Sequence, residues 1–223
     1  MELIDTFFNG AVLWAALPLL LEGLATTVLL GAVSIAVGLA SGLLLALLRL
    51  YGPPPLQALA RGYIDLFRSL PLLVLLVLVY YALPFVGLRL SSFAAAASAL
   101  SLVACAYTAE ICRAGIQAVP RGQTDAAQAL GLGLGDTLRS VVLPQALRIV
   151  TPPLTGNCIN VLKDTALASV VAMPDLLKQA TQAQALAANP TPLIGAAALY
   201  LLLLLPLIRL VSRFEARRDA ALR

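Results

Sequence analysis

The 223-residue sequence contains no histidine, one tryptophan, two methionines and three cysteines. Without histidine it lacks the commonest general base and the commonest metal ligand, which removes most hydrolytic and metal chemistry from consideration. Cys105, Cys112 and Cys158 show no paired ligand spacing. They read as small apolar fillers, not as a metal site or a disulfide framework. No GxxxxGK[ST] occurs, so the chain has no P-loop with which to bind ATP, and Gly131, Gly133 and Gly135 alternate without the spacing of a nucleotide-binding loop. Charge is scarce as well, at 12% of residues. The opening MELIDTFFNGAVLWAAL carries no basic stretch and no small-residue cleavage site, so a removable signal peptide is not expected.

Apolar residues fill the gap, at 61% of the chain. A globule of this size has too little interior for that much apolar surface, so the composition predicts an all-α integral membrane protein. About 20 apolar residues cross the hydrocarbon core. Five stretches qualify, at 24–48, 64–86, 93–111, 149–173 and 193–211, the fourth containing Lys163 and Asp164. Residues 1–23 read as an external amphipathic lead-in, with Phe7, Phe8 and Trp14 suited to the interface.

The basic residues orient these spans. Arg49, Arg61 and Arg68 lie between the first two, Arg113, Arg121, Arg139 and Arg148 between the third and fourth, and Arg209, Arg213, Arg217, Arg218 and Arg223 at the end. The other side has Arg89 and Lys178. The positive-inside rule then puts the N-terminus outside and the C-terminus in the cytoplasm. The net charge of +4 is thus a topology signal and not the footprint of a nucleic-acid partner.

The cytoplasmic stretch 120–148 contains DAAQALGLGLGDTLRSVVLP at 125–144, a polar, glycine-punctuated segment between two membrane spans. A small-residue helix face closed by a glycine of positive φ suits docking into a partner's groove, and Pro144 suits the first turn of the next helix. Asp125, Ala126, Ala127, Gly131, Val141, Leu143 and Pro144 stand in the spacing of the EAA loop, and this segment resembles that loop of importer-type ABC permeases. The likeness to the polar amino acid permeases extends across Phe67-Arg68-Ser69-Leu70-Pro71, Ala106-Tyr107, Glu110, Arg113, Gly115-Ile116, Pro120, Gly122-Gln123, Gln145-Ala146, Pro153, Asn157 and Lys163-Asp164-Thr165. It departs at Asp125, where Glu is usual, at Thr124 and at Ala166.

This resemblance implies a single permease domain over 1–223 and a multi-pass protein of the bacterial cytoplasmic membrane. It implies two ABC ATPase subunits carrying ATP-Mg, a second permease subunit, identical or paralogous, and an extracytoplasmic solute-binding protein. The chain itself would bind no cofactor and catalyse nothing. Gly122, Asp125, Ala126, Ala127, Gly131, Leu143 and Pro144 become the ATPase-coupling residues. Arg68, Tyr107, Glu110, Asn157, Asn160, Lys163, Asp164 and Thr165 become the translocation-path residues for a polar amino acid or close analogue. Cys158, where the family often has a polar or acidic residue, argues against selecting a basic amino acid by a carboxylate there.

Two of these assignments have plainer readings. Glu110 and Arg113 are spaced for an i,i+3 ion pair that only orders a helix end. Lys163 and Asp164 suit a charge-neutral pair inside a helix. Ser34, Gly38 and Gly42 form a small-xxx-small face for helix packing, and 174–192 reads as a short external helix. Two rival functions remain. Gly133-Leu134-Gly135-Asp136 matches the GxGD of intramembrane aspartyl proteases, but such enzymes need two aspartates facing each other within the membrane. A passive channel gives no use to the coupling segment.

Overall fold

The computed structural model describes residues 6–221, with side chains through residue 213. Met1 to Asp5, where the lead-in begins, and Arg223 lie outside the described residues, as do the side chains of Arg217 and Arg218. Among the described residues every regular element is helical. The helices are α1 (Gly10–Tyr51), α2 (Pro54–Ser69), α3 (Leu72–Val77), α4 (Ser92–Gln117), α5 (Arg121–Ala129), α6 (Leu134–Thr137), α7 (Leu143–Asp164), α8 (Leu176–Ala187) and α9 (Thr191–Ala221). Three of them, α1, α4 and α9 to Arg213, are long and apolar enough to cross a membrane, and a fourth span results if α2 and Leu72–Val86 count as one broken span. The segment after 143 falls short on composition, because Asn157, Asn160, Lys163 and Asp164 dilute it.

Several boundaries differ from those read in the sequence. The lead-in does not stop at 23. Asn9 caps α1, its Oδ1 accepting from the amides of Ala11 and Val12, and the helix then runs 42 residues without a break. Such a helix is ~63 Å long, more than a bilayer core requires. The second span is not one helix either. Pro71 drives its predecessor Leu70 to an extended conformation, φ −84° and ψ 128°, so α2 ends there and a new helix begins. Pro144 stands in the first turn of α7, as expected, but that helix does not start afresh there, because α6 and a π turn at Leu138–Val142 run on into it. In that turn Leu143 N–H donates to the Leu138 carbonyl, an i→i−5 bond that shifts the ladder just ahead of the residue with no N–H to give. Pro152 and Pro153 lie inside α7.

The fold divides into two compact units. Among the described residues one comprises 6–35, 71–101 and 159–221; the other comprises Ala36–Leu70 and Leu102–Cys158. In the first unit, Ala16 and Leu20 of α1 pack with Leu176, Ala180 and Ala183 of α8 and Ala196 of α9. The close approach is set at Gly23, where a Cβ would lie 2.8 Å from the Leu176 Cα. One turn on, Thr27 Oγ1 accepts from the Leu176 amide at 3.0 Å. Outward, Trp14, Leu29 and Leu202 are exposed, as lipid-facing side chains must be.

In the second unit the small-residue face of α1 meets α4. A Cβ on Gly38 would lie 2.5 Å from Ala104 Cβ, and one on Gly42 equally close to Thr108 Cβ and 2.8 Å from the Cys105 carbonyl. Lipid supplies no hydrophobic drive between helices, so this close backbone approach is what holds them together. Ala46, Ile64, Ala109 and Cys112 then form one apolar cluster, and Ile116, Val119, Val142 and Ala146 another.

Candidate functional site

The second cluster seats α5. Pro120 at its N-cap fixes the turn out of α4, and the helix ends in a Schellman motif. Leu132 N–H donates to the Ala127 carbonyl at 3.1 Å and Gly131 N–H to the Gln128 carbonyl at 2.9 Å, with Gly131 at φ 82°. Only a residue without a Cβ adopts that φ at no cost, which is the role expected of Gly131. Gly122, Asp125 and Ala126 are exposed along α5. Ala127 is buried, so it seats α5 within its own chain and is not part of the outward face. Leu143 packs partly buried against the Ile116–Val142 cluster, and Pro144 is exposed. Asp136 of the GxGD match is exposed in the first turn of α6.

One turn before the end of α4, Glu110 gathers three arginines from three helices. Arg49 of α1 reaches its Oε2 at 2.6 Å, Arg113 of α4 binds both oxygens at 2.5 and 3.1 Å, and Arg68 of α2 stands 3.9 Å from Oε1. Arg113 also donates to Gln117 Oε1. The i,i+3 pair foreseen in the sequence is therefore present, within a larger clasp. Arg68 leans over the Tyr107 ring, 5.5 Å from its centroid, a cation–π distance. Nothing in the sequence pointed to Arg49, because 61 residues separate it from Glu110.

The remaining path residues are distributed. Asn157 donates to Thr108 Oγ1 at 3.4 Å, tying α7 to α4 within the second unit. Asn160, Lys163, Asp164 and Thr165 belong to the first unit. Asn160 and Lys163 are exposed; Thr165 is buried and donates its hydroxyl to the Leu162 carbonyl at 2.7 Å. Among the described residues no ion pair joins Lys163 to Asp164, since consecutive helical side chains diverge.

Residues 34–220 match the family described as binding-protein-dependent transport system inner membrane component. The chain belongs to this family. The arginine transport system permease protein ArtQ of Bacillus subtilis (strain 168) is 38% identical over 191 residues, 85% of this chain and 87% of that protein. The glutamine transport system permease protein GlnP of Escherichia coli (strain K12) is 34% identical over 213 residues, covering 94% and 97%. A crystal structure of an amino acid ABC transporter with histidines superposes with a TM-score of 0.85 at 38% identity, covering 90% of this chain and 94% of that one. The MetNI methionine ABC transporter in an inward-facing form superposes at 0.70, with 24% identity over 93% of this chain, and supports the fold alone. This inner membrane component is thus a transmembrane permease of the amino acid ABC type.

Proposed function

We propose that the chain is the membrane-spanning subunit of an ATP-driven importer for a polar amino acid or close analogue, in the bacterial cytoplasmic membrane. The observation that carries this is the exposed α5 face of Gly122, Asp125 and Ala126, rigidly closed at Gly131, in a chain of this family. Two permease subunits, each with five spans, N-terminus outside and C-terminus inside, line one path. Two ATPase subunits holding ATP-Mg each receive one α5, and an external binding protein delivers the solute. Closure of the ATPases draws the two α5 helices together and rocks the spans between inward- and outward-facing forms.

In this reading Asn160 and Lys163, exposed on α7, line the path, and Glu110 holds α1, α2 and α4 in register. The test is to extract the tagged full-length chain in mild detergent and identify what accompanies it. A P-loop ATPase is expected, and Asp125→Lys and Ala126→Trp, both on the exposed face, should each strip it away while the chain still inserts. Retention of the ATPase by both variants would reject α5 as the docking element. Asn160→Leu should impair uptake with assembly intact.

A further inference from the structure

Two kinds of glycine occur inside the helices of the second unit. Gly38, Gly42 and Gly115 leave no room for a Cβ, because a neighbouring helix fills the space. At Gly62, Gly122 and Gly156 a Cβ would meet nothing within 4 Å. Glycine within a helix is destabilising relative to alanine, so an open one has no packing reason inside its own chain. Gly122 shares the α5 face of Asp125 and Ala126, and Gly156 stands one turn from Asn160 on α7, both used in the proposed function. Gly62, at the middle of α2, belongs to neither.

The exposed face of α2 is symmetric about this glycine. On one flank Leu59 and Leu66 are 69% and 54% exposed. On the other, Arg61 and Asp65 are exposed, and neither forms an ion pair among the described residues. Arg61 donates through Nε to the Gln57 carbonyl at 3.4 Å, which leaves its terminal nitrogens for a partner. The leucine pair and the charged pair are both centred within a residue of Gly62. Turned end over end, a second α2 therefore lays leucine on leucine and sets each Arg61 against the other copy's Asp65. In a parallel pairing the leucines of one copy would meet the charges of the other. The face is complementary to itself, as a two-fold contact requires, and its charges select the antiparallel arrangement.

We propose that α2 forms the contact between two copies of this chain, an antiparallel pair crossing at Gly62 with Arg61 of each copy on Asp65 of the other. The inference rests on the two-subunit core and the orientation proposed above, and it makes the second permease subunit an identical copy. A two-fold along the membrane normal inserts both copies alike, and it leaves two helices antiparallel where they run across that normal. Only Gly52 and Pro53 separate α2 from the cytoplasmic end of α1. It carries Arg61, Asp65 and Arg68 and ends where Leu70 becomes extended, which suits a helix lying along the membrane boundary before the chain turns inward. Glycine at the crossing lets the two backbones approach closely.

The test is disulfide formation in native membranes between full-length copies carrying two different tags, which reads this contact even where other subunits bridge the copies. Gly62→Cys should link tag to tag well above the baseline set by wild type with Cys105, Cys112 and Cys158 alone. Leu56→Cys, exposed on another side of α2, should stay at that baseline. Within Gly62→Cys, Arg61→Asp on both copies, or Asp65→Arg on both, should lower the yield about tenfold, because like charges then face each other. Arg61→Asp on one copy and Asp65→Arg on the other should restore it, a rescue that misfolding cannot produce. If Gly62→Cys fails to insert, Leu59→Cys on one copy with Leu66→Cys on the other carries the same test. A mixed pair that links no better than the two like-charged pairs overturns the proposal. So does an adduct whose mass is not twice that of the chain, which would mark a different polypeptide on α2. Disulfide and rescue in a chain that co-extracts no P-loop ATPase would refute the importer reading alone, and a co-extracted ATPase without the disulfide would refute the α2 contact alone.

Discussion

Glu110 and Asp175 are two carboxylates in low-exposure settings that the chain handles in opposite ways. Glu110, in the second unit, is surrounded by Arg49, Arg113 and Arg68. Asp175, in the first unit, is fully buried and forms no ion pair among the described residues; one oxygen caps α8 by accepting from the Lys178 amide at 3.0 Å, and the other has no hydrogen-bond partner among them. Both stand beside a close approach of α1, at Gly42 and Gly23 respectively. The packing device is shared, and the electrostatics differ because their tasks differ. A cap needs one good acceptor at a helix N-terminus. A junction of three helix ends, each bringing an arginine, needs a full negative charge to hold them.

Removing the charge at the junction should have the largest effect. Glu110→Gln leaves three guanidinium groups converging on a neutral amide, and breaking such a partly buried network should cost about 4 kcal/mol, in the range known for removing one partner of a buried pair. Thermal unfolding of the purified chain would show it, and an unchanged midpoint would mean that the clasp contributes nothing.

The opposite sign is expected at Asp175. Burial pushes its carboxyl up to about 6, against which the α8 amides and Lys178 only partly act. The ionised form is therefore disfavoured in the fold. Because the folded state holds the proton more tightly than the unfolded one, stability falls as pH rises from the ordinary carboxylate value near 4 to about 6, and stays lower above it. Asp175→Asn keeps the cap and removes the titration. It should raise stability at neutral pH by about 3 kcal/mol and leave it nearly unchanged at the acid end. Unfolding midpoints of both proteins across that window, if parallel, would refute the buried-carboxylate account.

Gly42→Val probes the shared packing device. Its Cβ would meet Thr108 Cβ at 2.5 Å, so α1 must back away from α4, at a cost of about 2 kcal/mol and with Arg49 drawn off Glu110. Combined with Glu110→Gln, the two losses should fall short of their sum, because both act on the same junction. The smallest effect belongs to Arg68. It stands at 3.9 Å with its side chain 40% exposed, so Arg68→Ala should cost below about 1 kcal/mol, ion pair and Tyr107 contact together.

Much of the 120–148 segment was legible because its signals are local. A glycine of positive φ after a short small-residue helix was readable in 125–144, and Gly131 adopts it. The Gly38 and Gly42 face was readable as well, since a four-residue interval places both on one stripe of any helix. Ala127 was readable as part of the small face but not as buried, because the side of α5 that turns inward depends on Leu138 and Val142, which arrive only after the chain has reversed. The helix breaks follow the same division. Pro71 ends α2 by its own sterics, whereas Pro144 is absorbed by a π turn whose cost the packing of Val142 and Leu143 offsets.

Composition, read without any structure, determined that this is an all-helical membrane protein, since the bilayer solvates apolar helices and leaves a backbone there no partner but itself. Only the tertiary structure decided which charges meet. Arg49, Arg68 and Glu110 come from three helices, and the distance between their charges is set by the close seating of α1 against α4, a quantity that no local pattern encodes.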